Sequence, residues 1–265
     1  MRITSAFLTL LVLGNLPVAA QAPDNVFIEE LTWTEVRDKI AAGTTSVILP
    51  TGGTEQNGPH MVLGKHNFIV KVAAERIARR LGNALVAPVV AFVPEGNVDP
   101  PSGHMRYPGA ITLPNEYFEK LLEYAARSFR ANGFTDIIFI GDSGGNQNGL
   151  RNVAEILNRE WSGSGVRIHF ASNYYRGNGI REWLETQGET ADDIGSHAGI
   201  TDTSQLMAID PSLIRMNSRA KNGGFEGSGV RGNPTKASIE YGRKGLQMKV
   251  DAAVDQIREL MVGKP

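Results

Sequence analysis

Short apolar runs alternate along this chain with longer stretches whose apolar residues recur at helical spacing, and that alternation most limits its fold. Ser46 to Pro50 (SVILP), Asp136 to Gly141 (DIIFIG) and Val166 to Ala171 (VRIHFA) have the length and composition of buried strands. Ala84 to Val93 (ALVAPVVAFV) has strand composition too, interrupted by Pro88. Between them, Asn67 to Leu81 carries Ile69, Val72, Ala73, Ile77 and Ala78 on one helical stripe. Trp33 to Ala42, Pro114 to Ala131, Asn148 to Trp161 and Ala237 to Met261 also read as helices, the second of them opening on a proline and closing before Gly133. The pattern predicts a single α/β domain, a largely parallel sheet sandwiched by helices, spanning residues 21–265. No internal repeat or linker divides it.

Composition narrows the function classes. With no cysteine, a disulfide-stapled module, a zinc ribbon and an iron–sulfur protein are excluded. With 27 basic against 28 acidic residues, no global charge draws the chain to nucleic acid or an anionic membrane. The first residues have a different purpose. Met1-Arg2, the apolar run Ala6 to Leu13 and the small residues Pro17-Val18-Ala19-Ala20 form the three regions of a secretory signal. The apolar run is too short for a bilayer-spanning helix. Residues 1–20 are therefore expected to be removed, leaving a periplasmic or secreted protein with no membrane anchor.

In parallel sheets, sites form at the carboxyl ends of the strands. Three polar clusters follow strands here: Thr51 to His60, the loop Pro94 to Pro108 with His104, and Asp142 to Gln147. A loop of some fifteen residues in a compact domain usually builds or covers a site. His169, inside a strand, reads as structural. Gly141-Asp142-Ser143-Gly144-Gly145 matches both the trypsin-like nucleophile loop and the G-x-S-x-G elbow of α/β-hydrolases. The first requires an all-β setting, which is absent. The second keeps a serine hydrolase open, with Ser143 as nucleophile and His197 as base beside Asp192 and Asp193.

The first cluster extends into Thr54-Glu55-Gln56-Asn57-Gly58-Pro59-His60-Met61-Val62-Leu63-Gly64-Lys65-His66-Asn67, which resembles the creatininase signature S-x-E-Q-H-G-P-H-L-P-L-x-x-D. His104 to Leu113 is similar to that family's H-x-x-F-P-G-T-x-x-L. Ile140 to Gln147 stands beside its N-G-H-G-G-N, and His197-Ala198-Gly199 with Asp202-Thr203-Ser204 beside H-A-G-E-x-E-T-S. The resemblance implies the creatininase-like three-layer α/β/α fold, hydrolysis of C–N bonds, and one or two divalent metals. It also implies a homo-oligomer, a hexamer in many members.

Here the sequence departs from the family's metal ligands. Glu55 is kept, but Asn57 replaces a histidine, His66 the bridging aspartate, Ser143 a histidine, and Gly145 the acid some members use. The resemblance leaves Glu55 and His66, with Asp142, Asn57 or Ser143 as third partner, for a single divalent ion, Zn²⁺ or alternatively Mn²⁺. It makes His197 the proton donor to the leaving nitrogen, with Asp202 orienting it. His104 and His60 are candidate substrate contacts, and Gly144 and Gly145 candidate oxyanion donors ahead of a helix. Three readings stand: a metal-dependent amidohydrolase of cyclic or small amides, a serine hydrolase using Ser143, and a non-catalytic small-molecule-binding member that has lost its metal.

Overall fold

The computed structural model describes residues 24–218 and 224–263. The segment expected to be a secretory signal, residues 1–20, lies outside them. A parallel four-stranded sheet runs β2-β1-β3-β4, with β1 at Ser46–Thr51, β2 at Ala84–Val86, β3 at Asp136–Gly141 and β4 at Arg167–Phe170. Residue parity assigns the two faces. Val47, Leu49, Ile137 and Phe139 pack against α3 (Asn115–Ala131) and α4 (Asn146–Glu160) through Phe118, Leu122, Leu150 and Leu157. Ile48, Ile138 and Ile140 pack against α2 (Lys65–Leu81) and α8 (Ile239–Val262) through Val70, Ile77, Val250 and Ile257. Each of these large aliphatic side chains, fully buried, contributes about 1.5–3 kcal/mol. The result is the expected three-layer α/β/α domain.

The remaining helices are α1 (Trp33–Ala41), α5 (Ile180–Thr186), α6 (Ala191–Ile194) and α7 (Ile200–Ile209). Two sequence expectations change. The strand expected over 84–93 stops at Val86 and continues only as isolated bridges at Val90 and Val93, because Pro88 has no N–H for a ladder. The polar stretch 173–194 contains α5 and α6, and α7 follows directly after His197.

Two details position the site. Helix α2 starts at Lys65, two residues ahead of the periodic run, so Lys65 and His66 occupy its first turn. The sheet order makes β1 and β3 neighbours whose connections leave in opposite directions. That is the switch point of an open α/β sheet, where a crevice opens beyond the carboxyl ends of the strands.

Candidate active site

A cleft of about 740 Å³ opens beyond Thr51 and Gly141, the ends of β1 and β3. Glu55, His66, His104, Asp142, Ser143, Gly144, Gly145, His197 and Asp202 all line it. Four loops and the first turns of α2 and α7 supply them, so residues far apart in sequence meet at one sheet end.

Glu55 is the hub. Its Oε1 is 2.8 Å from His66 Nε2, 3.3 Å from Lys65 Nζ and 3.6 Å from His197 Nδ1. Its Oε2 is 3.1 Å from His104 Nε2. A second acid, Asp142, sits one step deeper: Oδ2 is 2.7 Å from His66 Nδ1, and Oδ1 is 2.6 Å from Lys249 Nζ. Oδ1 also accepts the Tyr174 hydroxyl at 2.8 Å. Asp202 Oδ2 pairs with Lys65 Nζ at 2.9 Å and accepts the Ala198 N–H at 2.8 Å. That second bond depends on the unusual φ of +53° at Ala198, which turns its N–H toward the carboxylate.

These contacts set the charges. Burial pushes against ionisation of Glu55, yet His66, Lys65 and His197 outweigh it and hold the carboxyl well below its usual range. Asp142 is likewise held low against burial, by Lys249 and His66, and Asp202 by Lys65, His66 and His197. Burial and Lys65 oppose the imidazolium of His66, but Glu55 and Asp142 prevail and raise it to about 9. Burial lowers both His104 and His197, which are therefore neutral near pH 7. The three ionised acids thus face three buried cations, Lys65, His66 and Lys249.

Glu95, which sequence reasoning missed, completes the floor. Its carboxyl is buried and shares a hydrogen bond with Glu55, while Oε1 has no partner. Burial and the neighbouring Glu55 charge push it up to about 9, so it carries a proton near pH 7. Any side chain at Gly53 would collide with Glu95 Oε1, and its φ of +154° suits glycine.

Several expected roles are corrected. Asn57 does not line the cleft; its Nδ2 donates to the Glu55, Val62 and Leu63 carbonyls and braces the loop. His60 is fully buried beside Thr203 Oγ1, 3.0 Å away, and packs edge-on against Phe225 rather than meeting substrate. His66 has both ring nitrogens committed to carboxylates. No hydrogen bond joins Asp202 to His197 among the described residues, because Asp202 is taken by Lys65 and Ala198. The His197 Nε2–H instead donates to the Gln56 carbonyl at 2.8 Å, which leaves Nδ1 a lone pair facing Glu55. Ser143 Oγ accepts only the Gly145 N–H, at 3.4 Å, and no histidine bonds it among the described residues. His169 pairs with Asp136 at 2.8 Å inside the sheet, as a structural residue would.

The model of the creatininase family, described as creatinine amidohydrolase, matches residues 29–257. The chain belongs to the creatininase family. It is 27% identical over 235 residues to the mycofactocin precursor peptide peptidase of Mycolicibacterium smegmatis, across 80% of this chain and 84% of that one. It is 24% identical over 198 residues to the creatinine amidohydrolase of Pseudomonas putida, across 73% and 75% of the two chains. A manganese creatininase structure superposes with a TM-score of 0.72 at 24% identity, covering 89% of this chain and 98% of the other. This creatininase-family chain is an enzyme, of a family of amidohydrolases.

Creatininases of this fold have been solved in manganese and Zn–Zn forms. The positions corresponding to the family's metal pair do not fit such a pair here. His66 is protonated and doubly bonded, Asn57 faces backbone carbonyls, and Ser143 offers only a neutral hydroxyl. A different set does fit a single cation: Glu55, His104 and His197 each present one ligand atom, all within 4.8 Å of one another. Both imidazoles are neutral, as ligation requires.

Proposed function

We propose that the protein hydrolyses a C–N bond in small amides, with one divalent cation, Zn²⁺ or alternatively Mn²⁺, held by Glu55, His104 and His197. The observation that carries this reading is the convergence of those three side chains in the strand-end cleft. Two nitrogens and one carboxylate are a ligand set for catalytic zinc that leaves one position open. When bound, the cation would polarise the amide carbonyl and acidify water.

The chain's own groups do the rest. Water adds to the carbonyl carbon, the C–N bond breaks, and the departing nitrogen takes a proton. Glu95 supplies that proton, since its buried carboxyl is protonated near pH 7 and borders the cleft, and the proton the water gives up restores the Glu95 carboxyl. The role first assigned to His197 passes to Glu95, because His197 has given its N–H to Gln56. Gly144 and Tyr175 line the cleft side by side, a Cβ on Gly144 lying 3.0 Å from the Tyr175 hydroxyl, and that hydroxyl is the proposed donor to the oxygen that becomes negative. Lys65 and Lys249 neutralise Asp202 and Asp142, and so keep those acids from competing for the cation.

Amine release from a panel of N-acyl amides tests this reading. Activity should vanish on chelation, return with Zn²⁺ or Mn²⁺, and be lost in Glu55→Gln. Activity that survives both treatments would overturn it.

The secretory segment 1–20 supports export of the mature chain, to be checked by N-terminal sequencing of the cell-free or periplasmic fraction. No helix among the described residues is long and apolar enough to cross a membrane. Exposed Phe92, Val98, Tyr117 and Tyr124 offer apolar surface that self-assembly into a homo-oligomer would bury. Light scattering on the purified protein reads the assembly state directly.

A further inference from the structure

Every acid that lines the cleft lies on its floor and is already matched. Glu55, Asp142 and Asp202 face Lys65, His66 and Lys249, and Glu95 is held protonated. The cleft walls carry charge of one sign only. Arg106 comes from the short helical turn near the end of the long loop, Arg181 from α5, and Arg231 from the segment before α8, and all three line the cleft and are exposed.

None of the three is spent on a carboxylate of the floor. Arg181 donates to the Gly195 carbonyl at 2.7 Å and lies 3.9 Å from Glu185, itself exposed. Arg106 reaches only the Pro101 carbonyl, at 3.5 Å. Arg231 has no ion pair or side-chain hydrogen bond among the described residues.

Arg231 is also the best placed. Its backbone pairs with His197 in both directions, N–H to O at 2.9 Å and 3.2 Å, and its carbonyl also accepts the Ser196 N–H at 2.8 Å. Gly195 packs so closely on the Arg231 carbonyl that any side chain there would collide, and its φ of +65° suits glycine. The guanidinium thus rises from a backbone fixed beside a candidate cation ligand. Its charge is felt at His104, after burial and the closer cations Lys65 and His66.

A guanidinium does not lose its proton in a protein, and it binds carboxylate oxygens two at a time. Three of them around a cleft with no free anion leave a positive field at the position where substrate enters. We infer that the cleft takes amides bearing a carboxylate near the scissile C–N bond, with Arg231 as the principal anchor and Arg106 and Arg181 widening the field. The inference rests on the hydrolase reading for the scissile bond, but its anion site stands independently of turnover.

The matched pair N-acetylglycine and N-acetylglycinamide, which differ in one charge, tests it on the full mature chain. Binding is read by calorimetry and turnover by amine release, on wild type, Arg231→Gln and Arg231→Lys. The acid should bind at least tenfold more tightly than the amide in wild type. Arg231→Gln should remove most of that preference, through KM more than kcat, and Arg231→Lys should keep part of it. Arg106→Gln and Arg181→Gln, measured alongside, should each weaken it less, and they carry the test if Arg231→Gln does not fold.

Equal binding of both probes by wild type, or a preference that survives all three glutamine variants, would overturn the inference. If both probes are also cleaved at the same kcat/KM, the hydrolase reading stands while the inference falls. If the acid binds through Arg231 and neither probe is cleaved, the anion site stands and the result counts against the hydrolase reading.

Discussion

Lys249 projects from the buried stripe of α8 to set its Nζ 2.6 Å from Asp142 Oδ1, and so places a fixed cation beneath the cleft. Together with Lys65 and the imidazolium of His66, it balances the floor acids with charges the chain supplies itself. The cation proposed for the cleft would then take Glu55, His104 and His197.

Lys249→Met should be strongly destabilising, because it leaves Asp142 buried without its strongest partner. Removing one member of a buried ion pair typically costs about 3–5 kcal/mol. Urea unfolding should show a loss of that order, and the double variant Lys249→Met with Asp142→Asn should recover part of it. A loss below about 1 kcal/mol would place Asp142 in contact with water rather than in a closed pair.

The imidazolium of His66 gives the cation-free protein a characteristic pH dependence. Its folded value, about 9, lies above the unfolded one, which is near 6.5. A raised value means that its contribution is complete below about pH 6.5 and is lost as pH rises through about 9. Glu95, raised from the usual 4.5 to about 9, loses its contribution in the same direction, from about pH 4.5 up through about 9. The depressed acids are ionised throughout that window and add no slope. Stability measured in chelator should therefore fall between pH 6.5 and 9, by up to about 3 kcal/mol from His66 alone, and His66→Gln should make that fall shallower, leaving the share that Glu95 carries. A flat wild-type curve would contradict the assignment.

Much of this arrangement was legible in the sequence. The apolar runs of β1 and β3, ending in Thr51 and Gly141, pointed to the strand-end cleft. The motifs around Glu55, His104, Asp142 and His197 pointed to its contents. The partners were harder to read. Lys249 carried a signal, since it interrupts the apolar stripe of Leu246, Val250, Ala253 and Val254 in α8. A charge at that position must be paired when buried, but the sequence does not say that the partner is Asp142, 107 residues away. Glu95 follows a proline in a loop and had no local signal at all; its role arises only because Gly53 lets it approach. The roles given to Asn57 and His60 were misplaced for one reason. A motif fixes which loop a residue is on, whereas the turn at Gly58, with φ +67°, decides which way each side chain faces.

Ser143 should be dispensable as a nucleophile. Its hydroxyl has no histidine to take its proton, and an unactivated serine is a weak nucleophile near pH 7. A fluorophosphonate probe should leave the protein unlabelled, and Ser143→Ala should retain turnover within about tenfold, the range of a modest contact worth about 1.4 kcal/mol. Stoichiometric labelling that disappears in Ser143→Ala would return the elbow reading.

Glu95→Gln separates its proton from its shape. As the donor to the leaving nitrogen, Glu95 contributes the 10²–10⁴-fold typical of general acids, so kcat should fall by about that factor with KM little changed. Substrates with a better leaving group than an alkylamine should lose less. An unchanged kcat would remove Glu95 from the reaction.

Cation stoichiometry tests the central claim most directly. Metal analysis and calorimetric titration of Zn²⁺ or Mn²⁺ into chelator-treated protein should give one ion per chain. Affinity should fall by at least tenfold in His104→Ala and in His197→Ala, and stay unchanged in Ser143→Ala. Two ions per chain, or binding that tolerates the loss of His104 and fails with the loss of Ser143, would contradict it.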